Sequence, residues 1–250
     1  MYFSLLNNYY SSNSNFVILQ SFNYTGLTSL FDFFLPRFCP SCNKKLLPKE
    51  SVVCPECISR IKLAEDERIK SEFTRKFSSS GIISDFVSLY VFKKDKELQH
   101  IIHSLKYNKR FLTGKFLGKI VGINLKQKIF EWKIDYIIPV PLHHLKKAER
   151  GYNQSFYIAK GLSKELGIPV VQSFIKRKRF TESQTTMTLK ERQENIGGAF
   201  KAKRNLNLKE KNILLVDDVI TTGSTIGECG KVLLKALANE IYAVSVAIAD

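Results

Sequence analysis

The amino-acid sequence predicts an α/β protein in which a mainly parallel sheet is flanked by helices and follows a small cysteine module. From residue 85 onward, short apolar runs alternate with helix-like patterns, and this alternation indicates parallel strands joined by helices. Four of the five cysteines form two Cys-x-x-Cys pairs between residues 39 and 57. This spacing is typical of a structural zinc site.

The main domain is predicted element by element from these patterns. Strands are expected at residues 86–92, 136–140, 212–217 and 241–248, and helices at residues 97–107, 111–125, 151–166 and 224–238. The first helix is assigned because Leu98, Ile101 and Leu105 lie on one face. The third is assigned because Gly167 and Pro169 would end it. Ligands of parallel α/β sheets sit beyond the carboxyl ends of the strands, so a functional site is expected there.

Composition divides the chain into four segments. Residues 1–25, rich in Asn, Ser, Tyr and Phe, are expected to form a disordered tail. Residues 26–61 contain the zinc module, and residues 62–84, which are charged and then serine-rich, are interpreted as a linker. Residues 85–250 form the main domain.

The chain is strongly basic, with 39 Lys and Arg residues against 23 Asp and Glu residues and a formal charge of +16. This excess predicts a polyanionic partner, namely a nucleic acid, a membrane surface or a phosphorylated substrate. No apolar run is long enough to insert across a bilayer. The first basic residue is Arg37, so the positively charged start of a secretory signal is missing. We therefore expect a cytoplasmic protein.

The cysteine pairs are Cys39-Pro-Ser-Cys42 and Cys54-Pro-Glu-Cys57, with eleven residues between them. Two tight turns that each present two thiolates complete a tetrahedral Zn²⁺ site, and four sulfur ligands leave no open position for catalysis. Disulfides or a redox pair are the alternatives, and a cytoplasmic location disfavours disulfides. The fifth cysteine, Cys229, is interpreted as a small core residue of a helix.

The most informative stretch closes the third predicted strand, where Asp217 and Asp218 precede a loop of small residues. The loop contains Thr221, Thr222, Gly223, Ser224 and Thr225. Small residues let backbone N–H groups approach a phosphate at the N-terminus of a helix, and carboxylates accept strong hydrogen bonds from ribose hydroxyls. The alternative is an ordinary strand–turn–helix with two solvated acids. A Walker A loop fits poorly, because the spacing from Gly223 to Lys231 is wrong and Val232 stands where Ser or Thr is needed.

This loop resembles the phosphoribosyl-pyrophosphate (PRPP) loop of type I phosphoribosyltransferases. Over roughly residues 26–250, the chain is similar to the ComF family of competence proteins, which pair a zinc module with a phosphoribosyltransferase-type domain. Besides the cysteine pairs and the PRPP-like loop, the resemblance rests on Leu105-Lys106-Tyr107, Ile138-Pro139-Val140-Pro141-Leu142, Arg150-Gly151-Tyr152-Asn153-Gln154, and Ser183-Gln184-Thr185 with Arg192 and Asn195.

The resemblance implies roles for three loops. Residues 217–225 would hold the ribose and 5-phosphate of PRPP, and any Mg²⁺ would arrive with PRPP. Arg150 and Gly151 would lie on the pyrophosphate side. Residues 176–198 would form a lid anchored by Arg192. Ordinary salt bridges are the alternative role for Arg150 and Arg192.

Two basic clusters are candidates for single-stranded DNA binding, because binders of this kind combine a positive groove with aromatic platforms. Tyr107, Phe111 and Phe180 are candidate platforms. The alternative is a solvated basic surface. The candidate basic residues are Lys106, Lys109 and Arg110 in one cluster, and Lys176, Arg177, Lys178 and Arg179 in the other.

The resemblance implies a DNA-uptake factor in natural transformation that handles single-stranded DNA with a competence helicase and carries a regulatory PRPP pocket. The alternative is an enzyme that transfers ribose 5-phosphate from PRPP to a nitrogen acceptor. In that reading, catalysis would come from positioning and from charge stabilisation of the leaving pyrophosphate.

Overall fold

The structure of the protein is a computed structural model that describes residues 36–47, 50, 52–94, 96–178 and 197–249. The chain divides into two compact units, residues 1–60 and residues 61–250. The predicted tail and most of the predicted lid, including Arg179, Phe180, Arg192 and Asn195, lie outside the described residues.

The first unit is built from two tight turns. In the first turn, the amide of Asn43 donates to the carbonyl of Cys39 over 3.0 Å, and Phe38 pairs with Lys45 in an antiparallel bridge. In the second, Cys54 precedes helix α1 (Pro55–Ser59). Proline suits this first helical position because it has no N–H to satisfy and its φ is already helical.

The second unit contains six helices and six strands among its described residues. In chain order they are α2 (Asp66–Lys76), β1 (Asp85–Phe92), α3 (Glu97–Tyr107), α4 (Phe111–Glu131), β2 (Tyr136–Pro139), α5 (His144–Arg150), α6 (Gln154–Leu166), β3 (Ile175–Arg177), β4 (Phe200–Ala202), β5 (Ile213–Ile220), α7 (Ser224–Leu234) and β6 (Ile241–Ala249). A short 3₁₀ turn at Ser78–Ser80 follows α2.

Four strands form a parallel sheet in the order β1–β6–β5–β2. The central strands are buried almost throughout, as expected when helices cover both faces of a parallel sheet. The predicted α/β class is therefore confirmed. Strands β3 and β4 form a separate antiparallel pair, which brackets the predicted lid.

Strand β5 is longer than predicted. It continues to Ile220, because Asp217, Val219 and Ile220 stay in register with β6. The acid pair therefore lies within the strand and not at its end. Helix α4 likewise continues to Glu131, six residues beyond the predicted 125.

Two segments that were expected to be irregular contain helices. Residues 140–150, which were expected to form the loop on the pyrophosphate side, contain α5. The predicted linker contains α2, and Ile69 and Phe73 of this helix pack in the core of the sheet together with Phe77, which directly follows the helix. These three residues are spaced four apart, so they form one apolar stripe on a helix whose other positions are mostly charged.

Helices α4 and α6 pack closely through glycines. A Cβ atom on Gly118 would lie 1.9 Å from the carbonyl oxygen of Ile158, and one on Gly161 would lie 2.0 Å from the carbonyl oxygen of Lys115. Both distances are far below van der Waals contact, so the two backbones can approach only because these positions have no side chain. This packing fixes the start of α6 beside the carboxyl ends of β2 and β5.

Candidate functional site

The acid pair occupies the carboxyl-terminal half of β5 with different surroundings for each carboxylate. Asp217 Oδ1 accepts from the Ser155 hydroxyl over 2.8 Å and from the Asp218 amide over 2.9 Å. Burial, reinforced by the charge of Asp218, raises the pKa of Asp217 to about 7. The pKa values of the two neighbouring carboxyl groups are thus pushed in opposite directions, as expected for like charges that share a buried site.

Asp218 is held ionised by Lys106, whose Nζ lies 2.6 Å from Asp218 Oδ2. Burial alone would raise the pKa of Asp218, but the ammonium group outweighs it and the pKa is lowered. Burial alone would lower the pKa of Lys106, and Asp218 reverses that effect as well. Lys106, expected to contact DNA, therefore reaches from the end of α3 into the predicted ribose site.

The loop after β5 has the geometry of a helix N-terminus. Gly223 adopts a left-handed φ of 78° directly before α7. The hydroxyls of Thr222 and Ser224 lie 2.8 Å apart, and the Thr222 hydroxyl also accepts from the Ser224 amide. Small side chains and the amides that begin α7 thus border the space next to the acid pair, which suits a phosphate group.

Helix α2 forms the floor of this loop, a role that sequence reasoning missed. A Cβ on Gly223 would lie 2.7 Å from the Phe77 ring. The Lys76 ammonium group donates to the carbonyl of Thr221 and lies 3.0 Å from a carboxylate oxygen of Glu72, with 2% of the Lys76 side chain exposed. The cue in the sequence was the apolar stripe of α2 within the supposed linker.

The pyrophosphate-side residues surround the site with positive charge. Arg150 ends α5 and donates to Gln154 Oε1 over 3.2 Å, and Gly151 follows in a left-handed conformation. Lys146, on the same helix, was not singled out from the sequence. Burial lowers the pKa of Lys146, and the charges of Arg150 and Arg177 lower it further. Like charges converge here, as expected of a site for an anion.

Capping residues fix both helices of this region. His143 Nδ1 accepts from the Leu145 amide at the start of α5. Asn153 accepts from the Ser155 amide over 3.1 Å and donates to the carbonyl of Val140 over 2.9 Å. The Asn153 side chain therefore joins the end of β2 to the start of α6, which is the helix that presents Ser155 to Asp217.

The second basic cluster lines an open cavity of about 590 Å³. Lys176, Arg177 and Lys178 border it from β3 and its end, and His144 and Lys147 border it from α5. The guanidinium of Arg177 lies over the Phe200 ring, 5.4 Å from its centroid. The first cluster lies elsewhere. Lys109 and Arg110 occupy the turn between α3 and α4.

The four paired cysteines converge as predicted. The sulfur atoms of Cys39, Cys42, Cys54 and Cys57 all lie within 4.8 Å of one another. Those of Cys42 and Cys54 are 3.6 Å apart. Tetrahedral zinc with Zn–S bonds of about 2.3 Å requires sulfur atoms about 3.8 Å apart. The cluster is therefore positioned to bind one metal ion. Cys229 is fully buried, in agreement with its predicted core role.

Within the described ranges, no helix combines the length and the apolar character needed to cross a membrane.

Comparison with known proteins defines the class of the second unit. Residues 152–249 match the family described as the phosphoribosyl transferase domain. Among solved structures, a purine phosphoribosyltransferase from Pyrococcus horikoshii is 26% identical, with a TM-score of 0.36 over 53% of this chain and 74% of its own. An adenine phosphoribosyltransferase is 19% identical, with a TM-score of 0.39 over 57% of this chain and 73% of its own. The domain match and the parallel sheet together show that this unit has the fold of type I phosphoribosyltransferases.

Curated relatives extend the comparison beyond this domain. Competence protein F of Haemophilus influenzae is 34% identical over 58% of this chain and 65% of its own length. DNA utilization protein YhgH of Escherichia coli is 29% identical over 55% of this chain and 61% of its own length. Competence protein ComFC of Streptococcus pneumoniae is 28% identical over 81% of this chain and 77% of its own length. The chain thus spans less than two thirds of the first two proteins. It is a homologue of these competence proteins, and its resemblance to the ComF family is confirmed.

Proposed function

We propose that the protein is a cytoplasmic DNA-uptake factor that binds single-stranded DNA and uses its phosphoribosyl site as a regulatory PRPP pocket. The names of its relatives, which refer to competence and DNA utilization, support this role. A competence helicase is the proposed partner that moves the strand.

One observation supports the proposal most: a basic segment without Asp or Glu contributes a lysine to the phosphoribosyl site. Residues 98–130 contain seven Lys and Arg residues and no Asp or Glu. Lys106, within this segment, contacts Asp218. Clustered cations supply the sequence-independent affinity of nucleic-acid binders, and here one of them is also part of the ribose site.

In the proposed pocket, Asp217 and Asp218 receive the ribose hydroxyls, and residues 221–225 receive the 5-phosphate. Arg150 and Lys146 provide charge for the pyrophosphate, and Arg192, which lies outside the described residues, is proposed to add to it. Mg²⁺ would be bound mostly by PRPP oxygens and water. The four cysteines would hold Zn²⁺, which supplies folding energy to the first unit and no chemistry.

Fluorescence anisotropy of a labelled oligonucleotide across a salt series tests the DNA role. We expect binding at 50 mM salt that weakens steeply as salt rises, because each neutralised phosphate contributes about −0.9 (or about −0.7 for a single strand) to the slope of log K against log salt. An affinity that is undetectable at 50 mM salt would refute the role.

The second candidate is a phosphoribosyltransferase, and the intact acid pair favours it. An enzyme of this class would release pyrophosphate from PRPP when a nitrogen nucleophile is present. A coupled assay of pyrophosphate release with a panel of bases separates the candidates. Turnover by the wild type that is lost in Asp217→Asn/Asp218→Asn would establish the enzyme. Binding of PRPP without turnover supports a regulatory pocket.

A further inference from the structure

Five aromatic side chains form one ridge on the surface next to the phosphoribosyl site. The ridge consists of Tyr107 at the end of α3, Phe111 at the start of α4, and Tyr152, Phe156 and Tyr157 at the start of α6. Tyr107 and Phe111 are 53% and 41% exposed. Exposed aromatic rings in one cluster indicate a binding surface more strongly than single exposed apolar residues do.

The rings contact one another in sequence. The Phe111 centroid lies 5.1 Å from Tyr157 and 6.5 Å from Tyr152, and Tyr157 lies 5.4 Å from Phe156. Tyr107 joins the ridge through Arg150, whose guanidinium carbon lies 5.2 Å from the Tyr107 ring. The Phe111–Tyr152 and Tyr157–Phe156 contacts are edge-on, the Phe111 and Tyr157 rings are tilted by 37°, and the His103 ring lies 4.6 Å from that of Tyr107. These contacts hold the rings in place and still leave about half of Tyr107 and two fifths of Phe111 exposed.

Cations are interleaved with the rings. Lys115 Nζ lies 5.9 Å from the Phe111 centroid and 6.0 Å from that of Tyr157. Lys160 Nζ lies 5.4 Å from the Phe156 centroid. Lys109 is exposed in the turn that joins Tyr107 to Phe111. No acid occurs in residues 98–130 or in residues 151–164, so no carboxylate from these segments opposes a polyanion.

Building on the proposed function, we propose that this ridge is the surface on which single-stranded DNA lies, with bases stacked on Tyr107 and Phe111. The phosphates then meet Lys109, Arg110 and Lys115. Exposed π-faces with interleaved cations are what single-strand binders use, whereas a duplex keeps its bases stacked on one another. The described residues that line the cavity bordered by Lys176–Lys178 present cations but no Phe, Tyr or Trp ring.

The ridge also connects the DNA to the phosphoribosyl site. Arg150 packs on Tyr107 and belongs to the pyrophosphate side, and Lys106 precedes Tyr107 and binds Asp218. A strand on the ridge and an anion in the pocket would therefore both lie next to Lys106 and Arg150.

An oligonucleotide without bases separates stacking from electrostatics. We would measure the anisotropy of a labelled oligo(dT) and of an abasic strand of the same length and charge with the full-length protein. Because each stacked base adds roughly fivefold or more in affinity, the wild type should bind oligo(dT) at least about tenfold more tightly than the abasic strand.

In the variant Tyr107→Ala/Phe111→Ala, the affinities for oligo(dT) and for the abasic strand should become equal. The slope of log K against log salt should not change, because the cations remain. Phe130→Ala is the matched control. Phe130 is 48% exposed on the same helix with Lys126 5.3 Å from its ring, but about 28 Å from Phe111 by helix rise. This control should keep the preference for bases. The variant Tyr107→Trp/Phe111→Trp should also keep it, and thermal melting checks the fold of each variant.

The outcomes distinguish this inference from the proposed function. No binding to either strand at low salt would refute the function and the inference together. Equal affinity of the wild type for both strands, or a preference that survives in the alanine variant, would overturn the ridge alone and leave DNA binding in place. Loss of the preference in the alanine variant, with retention in the Phe130 and tryptophan variants, would establish the ridge.

Discussion

Replacing Lys106 with methionine removes the cation that neutralises the buried Asp218 carboxylate. At 2.6 Å, two unit charges attract by about 6 kcal/mol at an effective dielectric constant of about 20. The Lys106 side chain is 25% exposed and that of Asp218 is 6% exposed, so part of this attraction offsets desolvation. Breaking a buried pair from one side costs about 3–5 kcal/mol. We expect the lower end, a loss of about 3 kcal/mol in the free energy of unfolding.

The loss should persist between about pH 5 and pH 9 and should grow as pH rises through 7, because Lys106 also lowers the pKa of Asp217, which burial raises to about 7. Because the pair lowers the folded-state pKa of Asp218, its stabilisation is present above the ordinary carboxyl pKa of about 3.9 and is lost as pH falls through the lowered value. Because the pKa of Lys106 is raised, the stabilisation remains up to the ordinary lysine pKa of about 10.4. It is lost as pH rises through the raised value.

Urea unfolding followed by circular dichroism measures this loss, with Lys128→Met as the matched control. Lys128 Nζ lies 3.0 Å from Asp85 Oδ2, but the two side chains are 46% and 35% exposed. Its removal should therefore cost about 0.5 kcal/mol, as for other surface pairs. Equal losses for the two variants would refute the argument that burial makes the Lys106 pair strong. Adding Asp218→Asn to Lys106→Met should restore most of the lost free energy of unfolding.

Three further predictions follow from the packing and the two sites. Gly118→Ala should destabilise the protein by at least about 2 kcal/mol in urea unfolding, because its methyl group would meet backbone. Gly227→Ala, in α7 with no neighbour within 4 Å, should be neutral or stabilising by about 0.5 kcal/mol; similar losses for both would contradict this. Asp217→Asn/Asp218→Asn should abolish PRPP binding in calorimetry with little change in DNA affinity, and equal loss of both would indicate one shared site or a collapsed fold. A zinc chelator should speed hydrogen exchange throughout residues 36–60 and leave the parallel sheet protected, whereas unchanged exchange in residues 36–60 would count against a structural metal.

The sequence predicted the sheet because parallel strands covered on both faces are apolar throughout. Residues 213–216 and 241–244 are continuous apolar runs, and both are fully buried central strands. The cysteine cluster was equally predictable, since the spacing within each pair specifies a turn. The resemblance to the ComF family, which relatives confirm, supplied the expected order of the loops.

The missed features depend on contacts between segments that are distant in sequence. The charged surface of α2 concealed Lys76 and Phe77, and nothing local indicates that they lie beneath Gly223. Lys106 looked like a surface cation because its partner is more than one hundred residues away. The extension of β5 through the acid pair was missed because aspartates are rare in strands, and pairing with β6 overrides that preference.

Linked binding of DNA and PRPP tests the central claim most directly. The affinity of the wild type for oligo(dT) would be measured with and without saturating PRPP and Mg²⁺ at constant ionic strength. Because Lys106 and Arg150 adjoin both sites, we predict that PRPP weakens DNA binding by about fivefold or more, and that DNA weakens PRPP binding by the same factor. DNA affinities that are identical with and without bound PRPP would contradict a regulatory pocket.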